Sequence, residues 1–248
     1  NATANVPGSF VYSPAAGTVL NAGVNQVLSV NFTPTDVNNY TAVLSTTVQI
    51  TVYKANRVIT WNTPSPITYG TTLSSAQLNA SANVPGTFVY TPAAGTVLNA
   101  GANQTLSVNF NPTNTNNYNA INGTTVSITV NKATPVITWP TPAPITFGTA
   151  LSTTQLNATA NTAGMFNYTP ASGTVLNAGI NQVLSANFVP SNTNNYNSVN
   201  GVTVLITVNK ANPVITWNNP AAINYGTSLS TAQLNATANV PGSFTYTP

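Results

Sequence analysis

Only five of the chain's 248 residues carry a formal charge, namely Lys54, Arg57, Lys132, Lys210 and Asp36, and there is no His, Cys or Glu. A soluble domain is ordinarily about 25% charged, so the side chains of acid–base catalysis, of an activated Ser or Thr nucleophile and of a metal cage are largely missing. The same scarcity excludes the dense basic row that nucleic acid requires, and Thr, Asn, Ser or Pro interrupts every apolar stretch well short of the about 20 residues of a membrane helix.

The chain still has much to bury, since 42% of it is hydrophobic. Its order is set by an internal repeat. The string Asn-Ala-Thr/Ser-Ala-Asn begins at Asn1, Asn79, Asn157 and Asn235, each step being 78 residues. Gly-Thr-Val-Leu-Asn-Ala-Gly starts at Gly17, Gly95 and Gly173, and Asn-Asn-Tyr ends at Tyr40, Tyr118 and Tyr196. A period of this length exceeds that of ankyrin or leucine-rich repeats and suits a small autonomous β-domain.

Residues 1–54 read as a partial repeat that lacks its opening strands. In the repeat 55–132, Val58-Ile59-Thr60-Trp61 predicts a first short strand and Ile67-Thr68-Tyr69 a second. Leu78, Ala80 and Ala82 would line one face of a third, and Phe88 and Tyr90 a fourth, after the turn signal Pro85-Gly86. A short strand is expected around Val97-Leu98. A long one follows through Leu106, Val108 and Phe110, and a last through Val126, Ile128 and Val130. Apolar residues alternate with step two, and turn clusters such as Asn62-Thr63-Pro64 and Asn114 to Asn117 separate the runs. Some seven short strands at such spacing predict an all-β sandwich. The pattern recurs over 133–210, and residues 211–248 read as the opening half of a further repeat. Linkers of three or four residues, stiffened by Pro135 and Pro213, restrict bending between repeats. The chain reads as a window of a longer repetitive polypeptide.

The repeats resemble bacterial immunoglobulin-like tandem repeats of large secreted or cell-surface proteins. The likeness is carried by Val136-Ile137-Thr138-Trp139, Ile145-Thr146-Phe147-Gly148-Thr149, the Gly-x-Phe-x-Tyr strand from Gly86 to Tyr90, and Leu-Ser-Val-Asn-Phe-Asn-Pro from Leu106 to Pro112. Asn116-Asn117-Tyr118 and a closing Val-x-Ile-x-Val complete it. The resemblance implies tandem immunoglobulin-like β-sandwich domains in an extracellular stalk, adhesin or fibre, without catalysis or cofactor. Such repeats carry an acidic residue in the loop before the Asn-Tyr. Asp36 matches it, whereas Asn114 and Asn192 lack the charge.

Trp61, Trp139 and Trp217 recur at one position beside Val and Ile, which favours packing in a core or junction over a sugar-stacking platform. Tyr40, Tyr118 and Tyr196 close an Asn-rich loop and are expected as corner tyrosines whose hydroxyls bond to backbone. Lys54, Lys132 and Lys210 are expected as solvated charges at the junctions, since a lysine isopeptide bond wants a neighbouring buried carboxylic acid. The nine Asn-x-Ser/Thr sequons match chance for this composition, and the Thr residues lack the short regular repeat of an ice-binding array.

Near-neutrality also removes the charges that keep copies and sheet edges apart. The expected function is therefore a structural segment of an extracellular or cell-surface fibre, stalk or filament that associates with neighbouring repeats or copies of itself. The competing readings are an adhesin module for surface glycans and an inert spacer presenting a distal domain.

Overall fold

The computed structural model describes residues 1–247. The chain divides into two compact bodies, Asn1–Ala133 and Thr134–Pro248. In the first body, β1 (Gly8–Ser13), β2 (Gly23–Pro34) and β3 (Val43–Val52) form an antiparallel meander in the order β1-β2-β3. The complete repeat follows with β4 (Ile59–Thr60), β5 (Ile67–Thr68), β6 (Ser81–Ala82), β7 (Gly86–Thr91), β8 (Gly101–Pro112) and β9 (Ile121–Asn131). The same meander, now β7-β8-β9, gains β5 as a fourth strand, which pairs parallel with β9 through Ile67 to Val130. A separate antiparallel pair, β4 with β6, forms the remaining ladder.

The alternation of residues explains this arrangement. Along β8, Leu106, Val108 and Phe110 point inward and are buried, while Thr105, Asn109 and Asn111 point outward. Leu73, Leu78, Leu106 and Ile128 form the core, with Trp61, Ile67, Tyr90, Leu98 and Val126 packed against it. Each such aliphatic side chain contributes about 1.5–3 kcal/mol on full burial.

The second body repeats the design. It contains β10 (Ile137–Thr138), β11 (Ile145–Thr146), β12 (Thr159–Ala160), β13 (Gly164–Thr169), β14 (Gly179–Pro190) and β15 (Val199–Asn209), with the sheet order β11-β15-β14-β13 and the pair β10-β12. Its core is Leu151, Leu156, Leu184 and Ile206. Beyond it, β16 (Ile215–Thr216) pairs with β17 (Thr237–Ala238). Ile223 and residues 242–247 form no strand, although their counterparts lie in β5 and β7. Extended backbone becomes a strand only where a partner satisfies its N–H and C=O groups.

Three local expectations change. Leu78 does not lie on the third strand, because β6 holds only Ser81 and Ala82. It closes a single turn instead, with its N–H donating to the Ser74 carbonyl at 2.9 Å. That turn is a capping box: the Ser74 N–H donates to Gln77 Oε1, and the Ala76 N–H donates to Ser74 Oγ. Val97 makes one isolated bridge, to Thr72, where a short strand was expected. Gly86 lies within β7 opposite Pro112 and not in a turn.

Candidate functional site

Trp61 stands beyond the end of β4, half-buried, with its Nε1–H donating to the Gln77 carbonyl at 3.0 Å. Its ring meets Tyr90 edge-on, the centroids 5.3 Å apart. Trp139 repeats both contacts, with Gln155 and Tyr168. Trp217 keeps the same partners, Gln233 and Tyr246, yet is 53% exposed. The indoles of the two complete repeats thus have their N–H bonded and a tyrosine ring packed against them.

Another set of tyrosines makes hydroxyl-to-backbone bonds. Tyr90 Oη accepts from the Ala80 N–H at 2.9 Å, Tyr246 from Ala236 at 3.0 Å and Tyr12 from Ala2 at 3.1 Å. The sequence hides this partnership, because it spans two strands and ten residues. Burial pushes the Tyr90 and Tyr168 hydroxyls above the usual tyrosine value near 10, with the bond from the Ala80 or Ala158 N–H acting against it. Tyr40, Tyr118 and Tyr196 are held through their own backbone. Each N–H donates at 3.1 Å to the carbonyl four residues earlier, on Asp36, Asn114 and Asn192 respectively.

The loop closed by Tyr118 forms the joint to the preceding repeat. Asn117 gives that joint three bonds. Its Oδ1 accepts from the Ala22 N–H at 2.6 Å, its Nδ2 donates to Asn21 Oδ1 at 3.0 Å, and its carbonyl accepts from the Ala55 N–H at 2.9 Å. Lys54 Nζ donates to the Thr115 carbonyl at 2.7 Å, and Arg57 Nη2 donates to the Ala120 carbonyl at 2.8 Å. Lys54 is accordingly an exposed cation on a carbonyl at the junction, and Arg57 makes its bond just past it, within the repeat 55–132. Asn117 was visible in the sequence only as the middle of Asn-Asn-Tyr. That the two loops Asn21-Ala22 and Asn114 to Asn117 meet follows from the fold alone.

Asp36 occupies the equivalent loop of the first repeat. Its Oδ2 accepts from Asn39 Nδ2 at 2.8 Å, and Oδ1 accepts from the N–H groups of Asn38 and Asn39. The side-chain bond from Asn39 chiefly holds its carboxyl below the usual carboxylate range. Among the described residues no three His, Cys, Asp or Glu side chains come together, and no helix is long and apolar enough to cross a membrane.

Two clefts of the first body lie on residues 1–54. One of about 410 Å³ is lined by Phe10, Val30, Phe32, Tyr40 and Val43, and one of about 590 Å³ by Tyr12, Leu28, Val30 and Val48. Both open on the inner face of β1-β2-β3, where β8 and β9 of the complete repeat carry their core. No protein-family model and no curated protein matches the chain.

Proposed function

We propose that the chain is a structural, non-catalytic segment of an extracellular or cell-surface fibre, stalk or filament, built from bacterial immunoglobulin-like repeats that associate with one another. The observation that carries this reading is the joint at Asn117. A spacing loop that puts both side-chain polar atoms onto the preceding repeat, and its carbonyl onto Ala55 where the two repeats join, serves the geometry of an array, not the capture of a ligand. The two-ladder all-β repeat supports the immunoglobulin-like assignment, with its meander, added parallel strand and a core enclosed between them. The outward faces of β8 and β14, rich in Thr, Ser and Asn, supply hydration without charge. The chain presents copies to one another with almost no electrostatic repulsion.

Electron microscopy of the purified chain, set beside a glycan array probed with the same material, tests the reading. Filaments or lateral assemblies without glycan hits are expected. Dispersed monomers that bind defined glycans would replace it with an adhesin module, in which the exposed Trp217 is the first ring to examine.

A further inference from the structure

We infer that Asn122-Gly123 and Asn200-Gly201 are sites of spontaneous side-chain deamidation, held in check by the side chains of Asn109 and Asn187. The inference concerns the covalent chemistry of the two complete repeats and is independent of how copies assemble.

The chain contains these two Asn-Gly pairs and no other. They occupy one position of the repeat, at the start of β9 and of β15, where the ladder to the preceding long strand slips by a residue. Phe110 faces Ile121 and Val108 faces Thr124, so Asn109 alone stands opposite Asn122 and Gly123. This is a β-bulge, and Gly123 adopts a φ of +72° to make it. Gly201 does the same at +71°, opposite Asn187. All four residues of the two pairs are exposed.

The first repeat shows which member of the pair the bulge requires. There Asn31 stands opposite Leu44 and Ser45, and Ser45 has a φ of 56°. The Ser45 N–H donates to Asn31 Oδ1 at 2.8 Å. The Gly123 N–H donates in the same way to Asn109 Oδ1, and the Gly201 N–H to Asn187 Oδ1, both at 2.8 Å. Leu44 and Asn122 are one position of the period, so bulge and clasp form without an asparagine there. Glycine at the second position relieves left-handed strain. Asparagine at the first is not needed for this geometry, and it introduces a reaction.

That reaction joins neighbouring groups. The Gly123 nitrogen gives up its proton and bonds to Cγ of Asn122, the Cγ–Nδ2 bond breaks, and the nitrogen released takes the proton and leaves as ammonia. Water then opens the cyclic imide at either carbonyl, giving aspartate or isoaspartate. In sum, water is consumed and ammonia released, with nothing oxidised or reduced. Glycine favours the first step because no Cβ shields its nitrogen. The clasp opposes it, since the N–H that must be surrendered is bonded to the neutral amide of Asn109, which cannot take the proton. The attack therefore waits for the bulge to open, a local event easier than unfolding the repeat. Each conversion places a carboxylate in a repeat that has none, and the two together raise the chain from Asp36 alone to three acidic side chains. Isoaspartate also lengthens the backbone inside the ladder that joins β8 to β9.

Peptide mass spectrometry of the full chain, incubated folded at neutral pH, tests this, with isoaspartate counted by enzymatic methylation. Conversion at Asn122 and Asn200 ahead of every other asparagine is expected. Persistence of both in the folded chain, while the denatured chain converts at both, overturns the assignment. Asn109→Ala, at an exposed position, should speed conversion at Asn122 about tenfold, the equivalent of one hydrogen bond. Asn200 in the same molecule should keep its rate. Asn187→Ala repeats the experiment with the two sites exchanged. Ser74→Ala weakens the second repeat at its cap without touching the clasp, and should leave Asn122 at the wild-type rate. Equal acceleration by Asn109→Ala and Ser74→Ala would trace the reaction to unfolding of the whole repeat and overturn the role of the clasp. An unchanged rate in both clasp variants overturns it as well.

Discussion

Single positions show how tightly the repeat constrains its small residues. A Cβ on Gly86 would lie 2.5 Å from the Phe110 ring and against the Asn111 carbonyl, and Phe110 is 1% exposed and unable to yield. Gly95 has open space around its Cα but a φ of +86°. Gly86→Ala should destabilise its repeat by about 2–3 kcal/mol through overpacking. Gly95→Ala should cost only about 1 kcal/mol, through left-handed backbone strain. Urea unfolding of the two variants gives the comparison, and equal losses would contradict this assignment of causes. The glycine was legible in the sequence, but as half of a turn signal. The third repeat separates the two readings, since Ala163 replaces the proline while Gly164 remains beneath Phe188. A related constraint explains Asn25, Asn103 and Asn181, all with φ near +55° at the register shift of the long strand. Asparagine enters that region at lower cost than other residues with a Cβ.

At the scale of elements, the long strands were readable and the short ones only as hydrophobic runs. β8 and β9 announce themselves by alternation over ten or more residues, whereas β4, β5 and β6 hold two residues each and owe their existence to partners far along the chain. Ile223 shows this directly, being the counterpart of Ile67 without a strand. The parallel pairing of β5 with β9 joins residues more than sixty apart and has no local signature. The turn that carries Leu78 did have one, the Ser-x-x-Gln spacing at Ser74, Ser152 and Ser230. Ser152→Ala removes the cap whose Oγ accepts from the Thr154 N–H and bonds Gln155 Oε1, and should lower stability by about 1 kcal/mol in thermal or urea unfolding.

The half-buried tyrosines Tyr90 and Tyr168 set the pH response of the same layer. Their folded values lie above the unfolded one near 10, so the folded state holds their protons more tightly. This contribution is fully present below pH 10 and is lost as pH rises past it. Asp36, the one carboxylate, is held below its usual range, so its contribution is present above pH 4 and lost as pH falls. The melting temperature should therefore stay within a few degrees from pH 4 to 9 and then decline, and Tyr90→Phe together with Tyr168→Phe should flatten the alkaline limb. A strong slope near neutrality would contradict this.

At the largest scale, the joint at Asn117 holds the two repeats of the first body together. Asn117→Ala withdraws the acceptor of the Ala22 N–H and the donor to Asn21. Amide exchange at Ala22 should then accelerate about tenfold, the equivalent of one hydrogen bond of about 1.4 kcal/mol. Asn39→Ala, whose side chain bonds Asp36 within its own loop, should leave that amide unchanged. The shortness of the linker was legible as a restriction on bending, although this one has Arg57 where the later linkers have Pro135 and Pro213, whereas the bonds across the joint link residues ninety-five apart. The parallel pair of β5 and β9 has one more consequence, for load. The chain enters the repeat just ahead of β4 and β5 and leaves it directly after β9, so a pull along the polypeptide draws β5 toward its N-terminus and β9 toward its C-terminus. The bonds between Ile67, Thr68, Tyr69 and the end of β9 are then strained together in shear, not peeled apart one at a time. A tether built of such repeats resists stretching at every period, and a repeat that gives way lengthens the tether without cutting it.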